Sequence, residues 1–370
     1  MPRIGIALLG STGSVGRQTL DVIDAYPSRF RIIALAARSV SPRFLDQVAR
    51  YHPEIGVTAQ DGPQALIDAA THPDVDIVVV ATAGHVAIAP TVAAISDGKT
   101  IAIANKETLV CAGEIIMPLA RANGVSIHPV DSEHSAIWQV LDRVPPDQIA
   151  RIILTASGGP FRATSMAGLA QVTAQDALAH PTWSMGGKIT IDSATMMNKG
   201  LEIIEAHWLF AMPYERIDVV IHPESVVHSL VEFVDGSQIA QLGLPDMRLP
   251  IQFALTYPER LPSMNPRLRL ENVGQLSFAA PDIERFPALR LARDAGIRGG
   301  LLPTVLSAAD EIAVEAFLAG RIRFTQIAEV VEGVLQQHDD AGPVTLESIA
   351  ASDVDARRIA NLMVSGISER

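Results

Sequence analysis

The strongest constraint on the fold lies in roughly the first 130 residues, where short apolar runs alternate with helical patterns. Ile4–Leu9, Arg31–Leu35, Ile55–Val57, Ile77–Val80, Ile101–Ala104 and Val125–His128 read as strands. A chain that repeats strand and helix in this way builds βαβ units, and hence a mostly parallel sheet covered by helices on both faces. Ligands of such sheets bind beyond the carboxyl ends of the strands. The residues just after each run are therefore where chemistry is expected.

The first run ends in Gly10-Ser11-Thr12-Gly13-Ser14-Val15-Gly16, with a helix expected to begin near Ser14. Glycines here permit a tight turn and let the backbone approach a pyrophosphate, while the helix N-terminus offers free N–H groups and partial positive charge. The spacing is G-x-x-G-x-x-G, and the alternative is a bare strand-to-helix turn. After the second strand stands Ala37-Arg38-Ser39 rather than the acidic residue that would bind a ribose 2′-hydroxyl, and an arginine there favours the extra phosphate of NADP. No G-x-x-x-x-G-K-[ST] occurs, which sets a P-loop NTPase aside.

From about residue 150 the texture changes. Glycine-rich turns, a short strand at Lys188–Asp192 and a hairpin of Val226–Val234 with Ile239–Leu244 around Asp235-Gly236 are expected. After residue 283 Ile327, Val330, Val331, Val334 and Leu335, and again Ile359, Leu362 and Met363, recur at helical spacing. The fold class is α/β: an N-terminal Rossmann-like NADP-binding domain (1–131), an α+β catalytic domain with a mixed sheet (132–256), a linker (257–282) and a C-terminal helical bundle (283–370). The formal charge of −12, without a basic stripe, argues against a nucleic-acid partner. The single cysteine, Cys111, leaves no internal disulfide or CxxC zinc site and suits a reducing cytoplasm; no signal peptide or membrane-spanning run is expected.

At the end of the sixth run the chain reads Pro129-Val130-Asp131-Ser132-Glu133-His134-Ser135. In an extended segment Asp131 and Glu133 share a face. Two carboxylates about 4 Å apart repel by about 4 kcal/mol at an effective dielectric near 20 unless a proton or cation joins them. Glu202 is a candidate third oxygen ligand, and an all-carboxylate set selects Mg²⁺ or Mn²⁺ over zinc. The alternative for Glu202 is a solvent-facing helical residue. Ser193, Asn198 and Lys199 cluster hydroxyl, amide and ammonium donors around a helix start, suited to a phosphate; otherwise Ser193 is a cap and Lys199 points to water.

His180-Pro181-Thr182-Trp183-Ser184-Met185-Gly186-Gly187 has the mixture a closing lid needs, or is a partly packed surface loop. Ser157-Gly158-Gly159-Pro160 offers donors to an anion or is only a turn. His222 and His228 read as core or interface histidines, and Cys111 as buried. Two rival functions stay open on these residues. A semialdehyde-dehydrogenase-like enzyme would need a nucleophilic cysteine, and a dinucleotide sensor would need an output module.

Taken together, "GSTGSVG", "ANKETLV", "VDSEHSAIWQ", "ASGGPF", "HPTWSMGGKITIDSATMMNKGLEIIEA", "HPESVVHSLVEF", "LSFAAPDIERFPALRLA" and "AADEIAVEAFL" resemble the 1-deoxy-D-xylulose 5-phosphate reductoisomerase family along nearly the whole chain. The resemblance implies NADPH- and divalent-metal-dependent (Mg²⁺ or Mn²⁺, with Co²⁺ as an alternative) rearrangement and reduction of 1-deoxy-D-xylulose 5-phosphate to 2-C-methyl-D-erythritol 4-phosphate, in the non-mevalonate isoprenoid pathway. It also implies a homodimer with a small phosphorylated sugar as substrate. By motif position, Asp131, Glu133 and Glu202 hold the metal, and Ser157, Ser193, Asn198 and Lys199 grip the phosphate. Ser132, Glu133 and His180 touch substrate, and Trp183 and Met185 belong to the lid. Thr12, Gly13, Ser14 and Val15 line the pyrophosphate, Ala37, Arg38 and Ser39 the adenosine end, and Asn105, Lys106, Glu107 and Gly186 complete the NADPH site. Lys106, with Glu133 and His180, is placed in the catalytic set, assisting electrostatically or in proton transfer. Two positions depart from the family pattern: Ala37, often glycine, and Asp310, commonly asparagine.

Overall fold

A computed structural model describes residues 2–179, 186–338 and 342–368. It contains two compact units, one formed by Met1–Leu109, Gly113–Gln139 and Asp246–Leu268, the other by Val110–Ala112, Val140–Pro245 and Arg269–Arg370.

In the first unit the six expected strands are β1 (Ile4–Leu9), β2 (Phe30–Ala37), β3 (Ile55–Thr58), β4 (Ile77–Val80), β5 (Thr100–Ile103) and β6 (Ile127–Pro129). They form one sheet in the order β3-β2-β1-β4-β5-β6, every neighbouring pair parallel. This is the doubly wound nucleotide-binding order. Ile6 to Leu9 and Val78 to Val80 are wholly buried, which is why these strands read as unbroken apolar runs rather than as alternation. β6 starts two residues later than its apolar run, because Gly124 at φ 64° caps the helix Lys106–Asn123 and Val125 N still bonds to Ala120 O.

The chain then turns at once into the helix Ser132–Leu141, so Asp131 and Glu133 do not share an extended face as expected. Asp131 O accepts the first helical bond, from Ser135 N at 2.8 Å, and Glu133 lies in the first turn, where an acidic side chain complements the helix dipole. The helix Arg248–Thr256 also belongs to this unit. Ile251, Ala254 and Leu255 join the core of Ile6, Leu8, Val22 and Ile23, and His128 Nδ1 meets Ala254 O at 2.7 Å. Trp138 and Tyr257 pack on the same histidine, and Phe253 packs on both of those rings. Each such fully buried apolar side chain contributes about 1.5–3 kcal/mol. Residues 132–139 and 246–256, which lie within the expected 132–256 domain, thus group with the nucleotide-binding sheet.

The second unit contains β7 (Ile149–Ala156), β8 (Ile217–Ile221), β9 (Val227–Phe233) and β10 (Gln238–Leu242) in the order β10-β9-β7-β8. β7 and β8 are parallel, and β9 is antiparallel to both β7 and β10, giving the expected mixed sheet and hairpin. Asp235 Oδ1 accepts from Ser237 N at 2.9 Å while Gly236 takes φ 84°, so the turn is built by the residues that mark it.

The strand expected at Lys188–Asp192 is instead part of a helix, Gly187–Thr195. Ile189 and Ile191 alternate with polar residues and so imitate a strand. Helical spacing prevails because Lys188 and Asp192 meet one turn apart and Thr190 Oγ1 donates to Gly186 O at 2.8 Å. The C-terminal helices Ala288–Arg298, Leu302–Leu318, Gln326–Gln336 and Leu346–Ser368 form as expected; Ile327, Val330, Val331, Val334, Leu335 and Ile359 are buried, whereas Leu362 faces solvent. Among the described residues no helix is long and apolar enough to cross a membrane.

Candidate active site

The glycine loop leaves β1 and enters the helix Ser14–Ala25, whose start matches the expectation. Gly10 needs its positive φ of 96°, and a Cβ there would stand 2.3 Å from Ala81 O. A Cβ on Gly16 would stand 2.2 Å from Gly10 O and 2.7 Å from Ser11 O, so loop and helix meet backbone to backbone. Gly13 is exposed at the N-cap, leaving the first amides of the helix open to an anion. Thr12, Ser14 and Val15 are partly exposed beside it, and Arg38 and Ser39 are exposed just past the end of β2. Ala37 is the last, buried residue of β2.

Sequence reasoning did not find Gln47. Its amide accepts from Ser11 Oγ at 2.8 Å and donates to Ser11 O at 3.0 Å, fixing the loop from the helix Pro42–Tyr51. A buried glutamine 36 residues away leaves no local pattern to read. Replacing Gly16 with alanine is expected to displace this loop, at a cost of about 1–3 kcal/mol and about tenfold or more in NADPH affinity. Thermal melts and fluorescence titration with NADPH check it; unchanged binding would remove the loop from the cofactor site.

Asn105 follows β5 and caps the helix Lys106–Asn123: its Oδ1 accepts from Thr108 N at 2.7 Å, and its Nδ2 donates to Thr82 O and Gly84 O, both at 2.9 Å. It therefore ties the ends of β4 and β5 together, with Glu107 Oε2 at 3.1 Å. Lys106, next to it, forms an ion pair with Asp131 Oδ2. Asp131 and Glu133 each offer an oxygen within 4.8 Å of the other, and Ser132 Oγ donates to Glu133 Oε2 at 2.5 Å. The acid pair thus exists, although helix geometry rather than strand geometry makes it. His134 Nδ1 stands 4.0 Å from Asp131 Oδ2.

In the second unit Ser157 follows β7, its Oγ accepting from Gly159 N at 3.2 Å. Gly158 and Gly159 take φ 77° and 65°, and a Cβ on Gly159 would fall 2.8 Å from Ser193 O. The close approach sets the Ser157 loop against the helix bearing Ser193. Met196, at φ 68°, joins that helix to Met197–Phe210, which carries Asn198, Lys199 and Glu202. Asn198 Nδ2 donates to Glu202 Oε1 at 2.6 Å, and Lys199 pairs with Glu202 Oε2. Lys199 and Glu202 are 3% and 1% exposed, so neither is the solvent-facing residue of the alternative reading. Lys199 here partners a carboxylate, an arrangement the sequence spacing of three allows.

Gly186 is the exposed N-cap of the Gly187–Thr195 helix. His180, Trp183 and Met185 lie outside the described residues. His222 is structural: its Nε2 accepts from Val226 N and Val227 N at 3.2 and 3.1 Å, and burial accompanies it. His228 lies buried in β9, and Cys111 is a buried thiol.

A doubly wound sheet with a glycine loop after β1 and an exposed arginine after β2 is the framework of a dinucleotide-linked oxidoreductase, here with a carboxylate pair after β6. Family profiles make the class particular. The 1-deoxy-D-xylulose 5-phosphate reductoisomerase profile matches residues 6–62 and 56–113, that family's C-terminal domain profile matches 127–210, and the DXP reductoisomerase C-terminal domain profile matches 242–359. The chain belongs to the 1-deoxy-D-xylulose 5-phosphate reductoisomerase family. The protein of that name from Thermomicrobium roseum is 56% identical over 98% of both chains, and that from Symbiobacterium thermophilum 51% identical over 95% of this chain and 97% of its own. Among solved structures, the Zymomonas mobilis reductoisomerase in complex with NADPH superposes with TM-score 0.89 at 42% identity, covering 98% of this chain and 99% of its own. A reductoisomerase in complex with NADPH, fosmidomycin and magnesium gives TM-score 0.92 at 42% identity, with 98% of each chain covered.

Proposed function

We infer that this chain converts 1-deoxy-D-xylulose 5-phosphate, NADPH and a proton into 2-C-methyl-D-erythritol 4-phosphate and NADP⁺, with a divalent cation. The observation that carries the reading is the placing of a dinucleotide loop after β1 and a carboxylate pair after β6 along one edge of a single parallel sheet. The family relationship supplies the substrate.

The chain's residues fit both groups. Partly exposed Ser14 and Val15 open a helix whose N-terminus favours a pyrophosphate, and exposed Arg38 suits a 2′-phosphate. Asp131, Glu133 and Glu202 offer only carboxylate oxygens, the donor set that suits Mg²⁺ or Mn²⁺. When bound, NADPH supplies hydride and the metal supplies Lewis-acid polarisation of the substrate oxygens. We assign Asp131, Glu133 and Glu202 as metal ligands on the family relationship; their all-carboxylate donor set supports this. Ser132 and Glu133 are assigned to substrate contacts, Ser157, Ser193, Asn198 and Lys199 to the phosphate, and Asn105, Glu107 and Gly186 to the NADPH site. Lys106, held beside Asp131, contributes positive charge where negative charge develops on substrate oxygen. A homodimer and a cytoplasmic location are proposed on the family relationship, the second supported by the lone cysteine.

Product analysis tests the assignment. With the ketose phosphate, NADPH and Mg²⁺, the expected product is 2-C-methyl-D-erythritol 4-phosphate, one per NADPH consumed. NADPH consumption without that product would keep the class and remove the substrate.

A further inference from the structure

The helix Gly187–Thr195 carries a charged contact that the reaction does not use. Lys188 Nζ donates to Asp192 Oδ2 at 2.6 Å, one turn along its own helix, and to Asp310 Oδ2 at 2.8 Å on the helix Leu302–Leu318. Asp192 is 3% and Asp310 0% exposed, so one ammonium joins two carboxyl groups out of water. A helix held in this way at its first turn and its middle cannot rotate against its neighbour without breaking a buried, charge-assisted bond. Ser193 is the next residue after Asp192, and its carbonyl is the surface against which Gly159 packs without room for a Cβ.

We propose that Lys188 is a positioning residue for the phosphate side of the site: by bridging Asp192 to Asp310 it sets the helix Gly187–Thr195 against Leu302–Leu318, and with it the Ser193 hydroxyl. The proposal rests on the reading of Ser193 as a phosphate contact.

The bridge also has a pH dependence. Burial, and then the neighbouring Asp310 carboxylate, push the Asp192 carboxyl well above the usual carboxylate range, against the pull of the Lys188 ammonium. Lys188 from its own helix and Asp310 from Leu302–Leu318 are the charged groups acting on it. The folded chain therefore keeps a proton on Asp192 that an unfolded chain releases. The stability linked to that proton is therefore fully present below the ordinary carboxylate range and is lost as pH rises through the raised value.

The test compares Lys188→Met, Ser193→Ala and the double variant in turnover of 1-deoxy-D-xylulose 5-phosphate. Each single change is expected to raise KM about tenfold with kcat altered less than about threefold, and the double to be no worse than the poorer single, because both act through one hydroxyl. If Ser193→Ala leaves KM unchanged, the phosphate reading of Ser193 falls and this proposal with it. If Ser193→Ala raises KM but Lys188→Met does not, or their effects multiply, the positioning role alone is overturned. Asp310→Asn leaves Lys188 one carboxylate and provides a folded comparison even where Lys188→Met does not fold. Its KM is expected to rise about threefold or more above wild type, because Lys188 loses its anchor on the helix Leu302–Leu318; an unchanged KM overturns the proposal.

Discussion

Replacing Glu202 with glutamine is expected to lower turnover in Mg²⁺ or Mn²⁺ by about 10³-fold and to weaken apparent metal affinity. A carboxylate ligand contributes several kcal/mol of charge stabilisation that an amide oxygen of the same shape does not, and about 1.4 kcal/mol is a factor of ten in rate. Glu202 also accepts from Asn198 and pairs with Lys199 in a nearly dry setting. Removing one partner of such a buried pair costs about 3–5 kcal/mol of stability. The variant is therefore assayed below its own melting transition, with turnover followed across a Mn²⁺ titration. An unchanged Mn²⁺ dependence would take Glu202 out of the metal site.

Lys199→Ala carries the second large effect, an expected fall of about 10³-fold in kcat/KM for the phosphorylated substrate. Phosphate binding supplies remote binding energy that is realised in the transition state, so a lost ammonium lowers more than affinity. The structure makes this variant discriminating, because Lys199 stands against Glu202. If the loss appears in the substrate term and the unphosphorylated ketose is turned over as before, Lys199 serves the phosphate. If instead KM is normal and only Mn²⁺ affinity drops, its part is to hold Glu202, and the phosphate assignment is lost.

The first unit was legible in the sequence because its information is local. β1 to β6 are apolar runs bounded by turn residues, and the glycine loop announces both the turn and the helix start at Ser14. What could not be read is non-local or ambiguous in period. Gln47 acts on Ser11 across 36 residues, and Arg248–Thr256, which follows the strands of the second sheet in the chain, joins the core of the first. Lys188–Asp192 alternates like a strand but is helical, since Lys188 and Asp192 are matched one turn apart and Thr190 and Asp192 are buried rather than turned to solvent. The acid pair shows the limit from the other side. Its existence followed from residue type, yet its geometry depends on where the helix Ser132–Leu141 begins. The spacing of three allows Lys199 to meet Glu202, but no local pattern shows that Lys106 meets Asp131, which lies on a different element.

The most direct test of a carboxylate-held divalent cation working beside NADPH is its absorbance, followed with purified protein and 1-deoxy-D-xylulose 5-phosphate after chelation and again after adding Mn²⁺. NADPH should stay intact in the chelated sample and be consumed once Mn²⁺ returns. Consumption at the same rate in both would contradict a metal role for Asp131, Glu133 and Glu202.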